Sequence, residues 1–312
     1  MATLEQLSAH EWRLELELDG AALEAAVARR LAEMRPRAEA PGFRRGKAPL
    51  PVLQRTFGAS VRRQQWQRLA QSEVRRELGG RGLRPAAPPR LEPAGSGLGA
   101  VATFELFPSL PPLDLAALVI ERPVVEIGDA DLDYMRERLP EMAGGEESRA
   151  ELRKAMEEEA PEAVFEEVAL AVEAALLAAH PALDLPPGLV AAQVAEMRRL
   201  EDPAPPAAAA EKRARRRLGG ALLLAEAARQ EGVRVEPAEL WQETEKVAAE
   251  SRDRQEELDR LWSDGAAIQE IEERLLRRKA VAAVLAKAQV MEVPTSFAAL
   301  ARRRRERETK PD

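Results

Sequence analysis

Val164, Val168, Val172 and Leu176 stand four residues apart inside the stretch Glu147 to Ala179. Spacing of that kind places apolar side chains on one face of a helix, and such a face must be buried against another element. From Asp129 onward the same period governs nearly every segment. Pro186-Pro187 opens a helix at its first turn, running to about Glu201, and Pro203 to Pro206 is a loop. Helices are expected at Ala207–Glu231, Pro237–Leu261 and Ala266–Lys287, the last with Ile268, Ile271, Leu275 and Leu285. Gln289–Val293 reads as a short extended piece and Thr295 to about Arg305 as a last helix, and the tail Arg302-Arg-Arg-Arg-Glu-Arg, ending in Lys310-Pro-Asp, is expected to fray. Residues 145–312 therefore read as an elongated all-α domain.

The N-terminal third follows another rule. Trp12-Arg-Leu-Glu-Leu-Glu-Leu18 alternates apolar and charged residues, the period of a half-buried strand. Asp19-Gly20 is a turn, and Ala21–Met34 is a helix with Leu23, Val27 and Leu31 on one face. Pro36 ends it. A loop from Pro36 to Pro49 leads to a short helix, Leu50–Phe57, and a longer one, Ser60–Leu78, closed by Gly79-Gly80. Pro- and Gly-rich turns fill 79–99, and Val101–Phe107 and Val119–Ile127 are strands. Residues 1–112 thus form an α+β domain with a helical hairpin. Residues 113–144 form a linker strand and helix, with Asp129 as the helix N-cap. Aromatics make up only 4% of a chain that is 45% hydrophobic, so its cores are built from Ala, Leu and Val.

Charge is distributed unevenly. The chain carries a net −7, yet Arg29 to Arg76 holds 13 Arg or Lys against 3 Glu, a local +10, which leaves −17 on the remainder. That end suits an anionic partner. There is no cysteine, which excludes disulfides and thiol catalysis and fits a reducing compartment. Met1–Gly20 has no apolar segment of the signal-peptide kind, and Val168–Ala179 is too short to span a bilayer. A cytoplasmic protein without membrane contact is expected.

Motifs for chemistry do not accumulate. Gly95-Ser-Gly-Leu-Gly99 precedes a strand, where a dinucleotide fingerprint opens a helix, so it reads as a hairpin turn. Asp129-Ala-Asp-Leu-Asp133 begins like a calcium loop, but Tyr134 and Pro140 occupy the positions that require Gly and Glu. His10 and His180 are the only histidines and lie far apart. No catalytic site, metal or cofactor is expected. The segment Gly42-Phe-Arg-Arg-Gly-Lys47 is the informative one: two glycines permit a tight turn, and Phe43 stands among Arg44, Arg45 and Lys47, an apolar anchor ringed by donors. No Ser or Thr follows Lys47, so it is not a nucleotide-binding loop.

Gly42-Phe-Arg-Arg-Gly-Lys-Ala-Pro49, followed by Phe57-Gly-Ala-Ser-Val-Arg62, resembles the ribosome-binding signature of bacterial trigger factors. Phe104-Glu-Leu-Phe-Pro108 and Val124-Val-Glu-Ile-Gly-Asp-Ala-Asp131 resemble that family's strand and linker. Glu151–Met156, Leu183–Pro187 and Ala280–Val290 resemble its C-terminal arms, last long helix and closing strand. The departure falls at Leu139–Ser148, where the family inserts a prolyl isomerase module of roughly 100 residues; here Pro140-Glu-Met-Ala-Gly-Gly-Glu-Glu-Ser148 joins linker to helices directly. A short form lacking that module is expected.

The resemblance implies an ATP-independent chaperone. Gly42, Phe43, Arg44, Arg45, Gly46 and Lys47 would dock on the large ribosomal subunit at the exit tunnel, with Phe43, Arg44 and Arg45 on protein and RNA. The helical domain would shelter unfolded nascent polypeptides, keeping them open for folding or export. Self-association off the ribosome is left open. Two other readings are an RNA-binding regulator that uses the basic hairpin tip, which calls for stacking aromatics along the basic face, and a residual peptidyl-prolyl isomerase.

Overall fold

The computed structural model describes residues 2–95, 98–138, 145–201, 204–249 and 251–309. The chain divides into two compact units, one formed by residues up to Ser109 with Asp184–Ala192, the other by Leu110–Leu183 with Gln193–Asp312.

In the first unit β1 (Thr3–Gln6), β2 (Glu11–Glu17), β3 (Arg90–Ala94) and β4 (Gly99–Glu105) form an antiparallel sheet in the order β1-β2-β4-β3. Register places Leu14 opposite Ala102 and Leu16 opposite Ala100. Pairing a large residue with a small one lets a helix lie close on that face, and α2 (Leu50–Gly80) does so with Ala70, Val74 and Leu78. Each leucine buried here contributes about 1.5–3 kcal/mol. A second core joins α1 (Gly20–Met34) to the first half of α2 through Leu23, Val27, Leu31, Leu53 and Val61. The segment Asp184–Ala192 adds to this unit. Glu105 accepts hydrogen bonds from the amides of Gly188 and Leu189 at 2.8 and 3.1 Å, and His10 Nε2 is 2.8 Å from Asp184 Oδ2.

Several sequence expectations are corrected here. Two helices were expected between Leu50 and Leu78, but α2 is continuous through Gly58. A mid-helix glycine costs about 1 kcal/mol, and Leu53 and Val61, both buried on either side of it, outweigh that. Strands β1 and β3 were not foreseen. Gly95–Gly99 joins the antiparallel pair β3 and β4, although Ser96 and Gly97 lie outside the described residues.

The second unit is helical around one short sheet. Its elements are β5 (Val119–Val125), α3 (Asp129–Arg136), α4 (Gly145–Ala179), α5 (Pro187–Leu200, whose first residues belong to the first unit), α6 (Ala207–Gln230), α7 (Pro237–Ala249), α8 (Arg254–Ser263), α9 (Gly265–Lys287), β6 (Gln289–Thr295) and α10 (Phe297–Thr309). Strands β5 and β6 pair in parallel, Val119 opposite Gln289. The stripe Val168, Val172 and Leu176 of α4 meets Leu223 and Ala227 of α6 and Val281 and Val284 of α9. Leu113, Leu115, Leu118 and Ile120, in the segment read above as linker, complete this core. The Gln230 side chain fastens it: Oε1 accepts from the Leu113 amide at 2.8 Å, and Nε2 donates to the Leu113 carbonyl at 2.9 Å.

Asp131 performs two capping tasks. Its Oδ2 accepts from the Gly128 amide at 2.9 Å and its Oδ1 from the Ala298 amide at 2.8 Å, so one carboxylate sits at the N-termini of α3 and α10. The N-cap of α3 is therefore Gly128; Asp129 is the first helical residue and pairs with Arg149 at 3.0 Å. The single helix expected over Pro237–Leu261 is two, because Asp253 caps a new start by accepting from the Glu256 amide at 3.0 Å. The tail expected to fray from Arg302 is helical to Thr309, while residues 310–312 lie outside the described residues, as do 139–144 of the junction.

Candidate functional site

The expected anchor residues lie in the loop between α1 and α2. Backbone bonds shape it: Phe43 N donates to Ala40 O (3.0 Å), Gly46 N to Ala38 O (3.0 Å) and Lys47 N to Arg44 O (2.9 Å). Ala38, Ala40 and Ala48 are buried in the α1–α2 core. Small residues at these points let the loop backbone lie against the helices, which turns the intervening side chains outward. Gly42 and Gly46 adopt φ +82° and +76°. At Gly46 a Cβ would stand 2.7 Å from the Pro36 carbonyl oxygen, whereas nothing lies within 4 Å of one at Gly42.

Phe43 is consequently 43% exposed, beside exposed Arg44, Arg45 and Lys47. Over residues 35–55 there are six cations, Arg35, Arg37, Arg44, Arg45, Lys47 and Arg55, against one carboxylate, Glu39. Glu39 reaches Arg45 only at 3.9 Å, with both side chains exposed, so the pair neutralises little. Phe57 and Trp66, the other aromatics of the basic stretch, pack on the core and leave Phe43 as its outward ring.

The second unit holds a surface that the sequence reading missed. Trp241 of α7 and Trp262 of α8 stack with ring centres 5.4 Å apart and planes 25° apart. Both remain close to half exposed. A cavity of about 340 Å³ adjoins them, walled by Glu245, Arg254, Gln255, Leu258 and Asp259. The rings meet only because the helix breaks before Asp253. The local signal was present as Asp253-x-x-Glu256, the spacing of a helix start.

Ion pairs fix the helices that carry this surface. Both oxygens of Glu239 in α7 accept from Lys279 Nζ of α9, at 2.9 and 2.7 Å, and with a bond from the Glu236 amide this holds the Glu239 carboxyl below the usual carboxylate range. Burial alone would lower the Arg277 guanidinium, but Glu166 and Glu173, at 3.1 and 3.2 Å, hold it above the ordinary arginine value. Among the described residues no group of three or more His, Asp or Glu is placed to hold a metal, and no helix is long and apolar enough to cross a membrane.

Residues 1–139 match the family model described as bacterial trigger factor protein (TF), and residues 146–286 match that of the bacterial trigger factor protein (TF) C-terminus. Trigger factor of Thioalkalivibrio sulfidiphilus (strain HL-EbGR7) is 36% identical over 141 residues, covering 44% of this chain and 32% of the relative. That of Nitrosococcus oceani is 33% identical over 143 residues, 45% of this chain and 32% of the relative, and that of Pseudomonas fluorescens (strain SBW25) is 35% identical over 141 residues, again 32% of the relative. The chain thus spans, in matched sequence, about a third of the length of these curated relatives. A solved structure of the trigger factor chaperone, described for promiscuous substrate recognition in folding and assembly, aligns with a TM-score of 0.48 and 14% identity over 91% of this chain and 99% of that one. Only residues 140–145 separate the two matched stretches, and a module of about 100 residues has no room there. With two models of one family matched in order along nearly its whole length, the chain belongs to the trigger factor family.

Proposed function

We propose that this protein is an ATP-independent chaperone of the cytoplasm that docks on the large ribosomal subunit through Gly42–Lys47 and holds emerging polypeptides on its helical unit. The observation that carries the reading is the outward Phe43 set among Arg44, Arg45 and Lys47 on a loop whose stems are buried. An aromatic anchor ringed by guanidinium forks is what a mixed surface of protein and phosphate requires. Because Phe57 and Trp66 are engaged in the core, the basic face offers no row of stacking rings, which counts against an RNA-binding regulator. Exposed Leu200, Trp241 and Trp262 supply apolar contact for a client without any nucleotide. Binding so driven ends when the client buries its own apolar surface.

The test is co-sedimentation with translating ribosomes. Replacing Phe43, Arg44 and Arg45 by Ala leaves the cores untouched, since all three side chains are exposed. Loss of binding is expected, at about 2 kcal/mol or more for each strong anchor. A triple variant that pellets with ribosomes like the parent protein overturns the docking site.

A further inference from the structure

We propose that Arg138 and Arg302, gathered on Tyr134, form a phosphate-binding site, and that α10 is a second surface for the backbone of a nucleic acid strand, independent of the tip loop. The base of α10 is fixed. Phe297 is buried with Leu132, Leu152 and Met156, Leu300 is buried as well, and the Ala298 amide is held by Asp131. Beyond that base the helix carries Arg302, Arg303, Arg304, Arg305 and Arg307. Three of these lie along α4: Arg303 is 4.0 Å from Glu167, Arg304 is 3.5 Å from Glu159, and Arg307 pairs with Glu167.

Arg302 is placed differently. Its guanidinium carbon is 4.7 Å from the centre of the Tyr134 ring, and that of Arg138, in the turn after α3, is 3.7 Å from the same centre. Both arginines are exposed, and among the described residues no carboxylate lies within ion-pair distance of either. The ring attracts each cation but leaves the two to repel one another. Phosphates drawn to these two exposed guanidinium groups offset that charge and meet planar donors, the geometry that suits phosphate. Tyr134 is only 8% exposed, so no base can stack on it. Recognition through this site is of the sugar–phosphate backbone and independent of sequence. A run of arginines along one helix, at about 1.5 Å rise per residue, fits a strand of repeated charges better than a single carboxylate. The exposed pair of Arg304 with Glu159 is weak enough to exchange for a phosphate contact.

The test uses the full chain with Phe43, Arg44 and Arg45 replaced by Ala, so that the tip anchor is removed from both proteins compared, and short oligouridylate RNA as the probe. Anisotropy titrations over a salt series compare this protein with one that also carries Arg138→Gln and Arg302→Gln. Each lost contact to a single strand takes about 0.7 off the slope of log affinity against log salt. The pair is expected to lower the slope by about 1.4 and the affinity by roughly 25-fold at 0.1 M salt. Arg138→Lys with Arg302→Lys keeps the charge and retains the slope. The single Arg302→Gln variant, at an exposed position, is expected to lose about 5-fold and serves if the double variant unfolds. An unchanged slope in folded Gln variants overturns the site. If polyglutamate competes for it more strongly than RNA, the partner is an acidic protein and the nucleic acid assignment falls.

Discussion

Gly46→Ala tests whether the loop backbone positions the anchor. A Cβ there would stand 2.7 Å from the Pro36 carbonyl oxygen, closer than side chains approach backbone, so the loop must shift. Holding Ala at φ +76° costs about 1–2 kcal/mol. The reduced freedom of the unfolded chain returns about 0.4–1 kcal/mol. If the shift also breaks the bond from Gly46 N to Ala38 O, another 0.5–1.5 kcal/mol or so is lost. The sum is about 2 kcal/mol, or roughly 30-fold in affinity if the native loop is the form that binds. Gly42→Ala is the control. Its φ is +82° but its Cβ meets nothing within 4 Å, so only the backbone term remains, about 1 kcal/mol or 5-fold. Quantitative pelleting with ribosomes at fixed salt reads both. Both variants should remain folded by circular dichroism, because Leu23 and Leu53 beneath the loop are untouched. Equal ribosome affinity for the two variants would refute the idea that the Gly46 stem sets the position of Phe43.

The purified protein is expected not to accelerate cis/trans exchange of an X-Pro peptide, an uncatalysed process of tens of seconds or longer; a severalfold speeding at stoichiometric protein would show a catalytic site in the present fold. Trp241→Ala with Trp262→Ala should weaken suppression of aggregation of an unfolded protein while leaving ribosome pelleting intact, and the parent activity should persist at high salt because apolar burial carries it. Glu239→Gln should lower stability at neutral pH but not in acid. Its depressed carboxyl contributes stability above the ordinary carboxylate range and loses it as pH falls through the depressed value. Trp fluorescence during acid titration should show parent and variant converging, and a constant difference at every pH would exclude the Lys279 pair as the cause.

Local rules carried the sequence reading as far as local interactions decide structure. Alternation over Trp12–Leu18, the helix over Ala21–Met34 and the loop that follows were legible because neighbours along the chain set them. That Phe43 and its arginines share one exposed loop was legible for the same reason, since they are contiguous. What escaped depends on distant partners. Strands β1 and β3 are short and half exposed, and pairing with β2 and β4 makes them strands. The arginine tail continues as a helix where Glu159 and Glu167, more than a hundred residues earlier, face it. Leu113 to Ile120 read as linker because the helices that cover them arrive much later in sequence. The Trp241–Trp262 pair needed a helix break that a continuous apolar period concealed.

The parallel pairing of β5 with β6 sets the order in which this chain can mature. Val119 finds its partner Gln289 only after all the intervening helices have been made. At about 5–20 residues per second, synthesis of that interval takes roughly 10–30 s. Throughout it the strand edge and the apolar side chains of Leu118 and Ile120 lack their final cover. Closure of so long a loop is a late, non-local event and hence a slow one. A protein proposed to guard unfinished chains therefore passes through a long unfinished state of its own, and is itself a client of the kind its helical unit would hold.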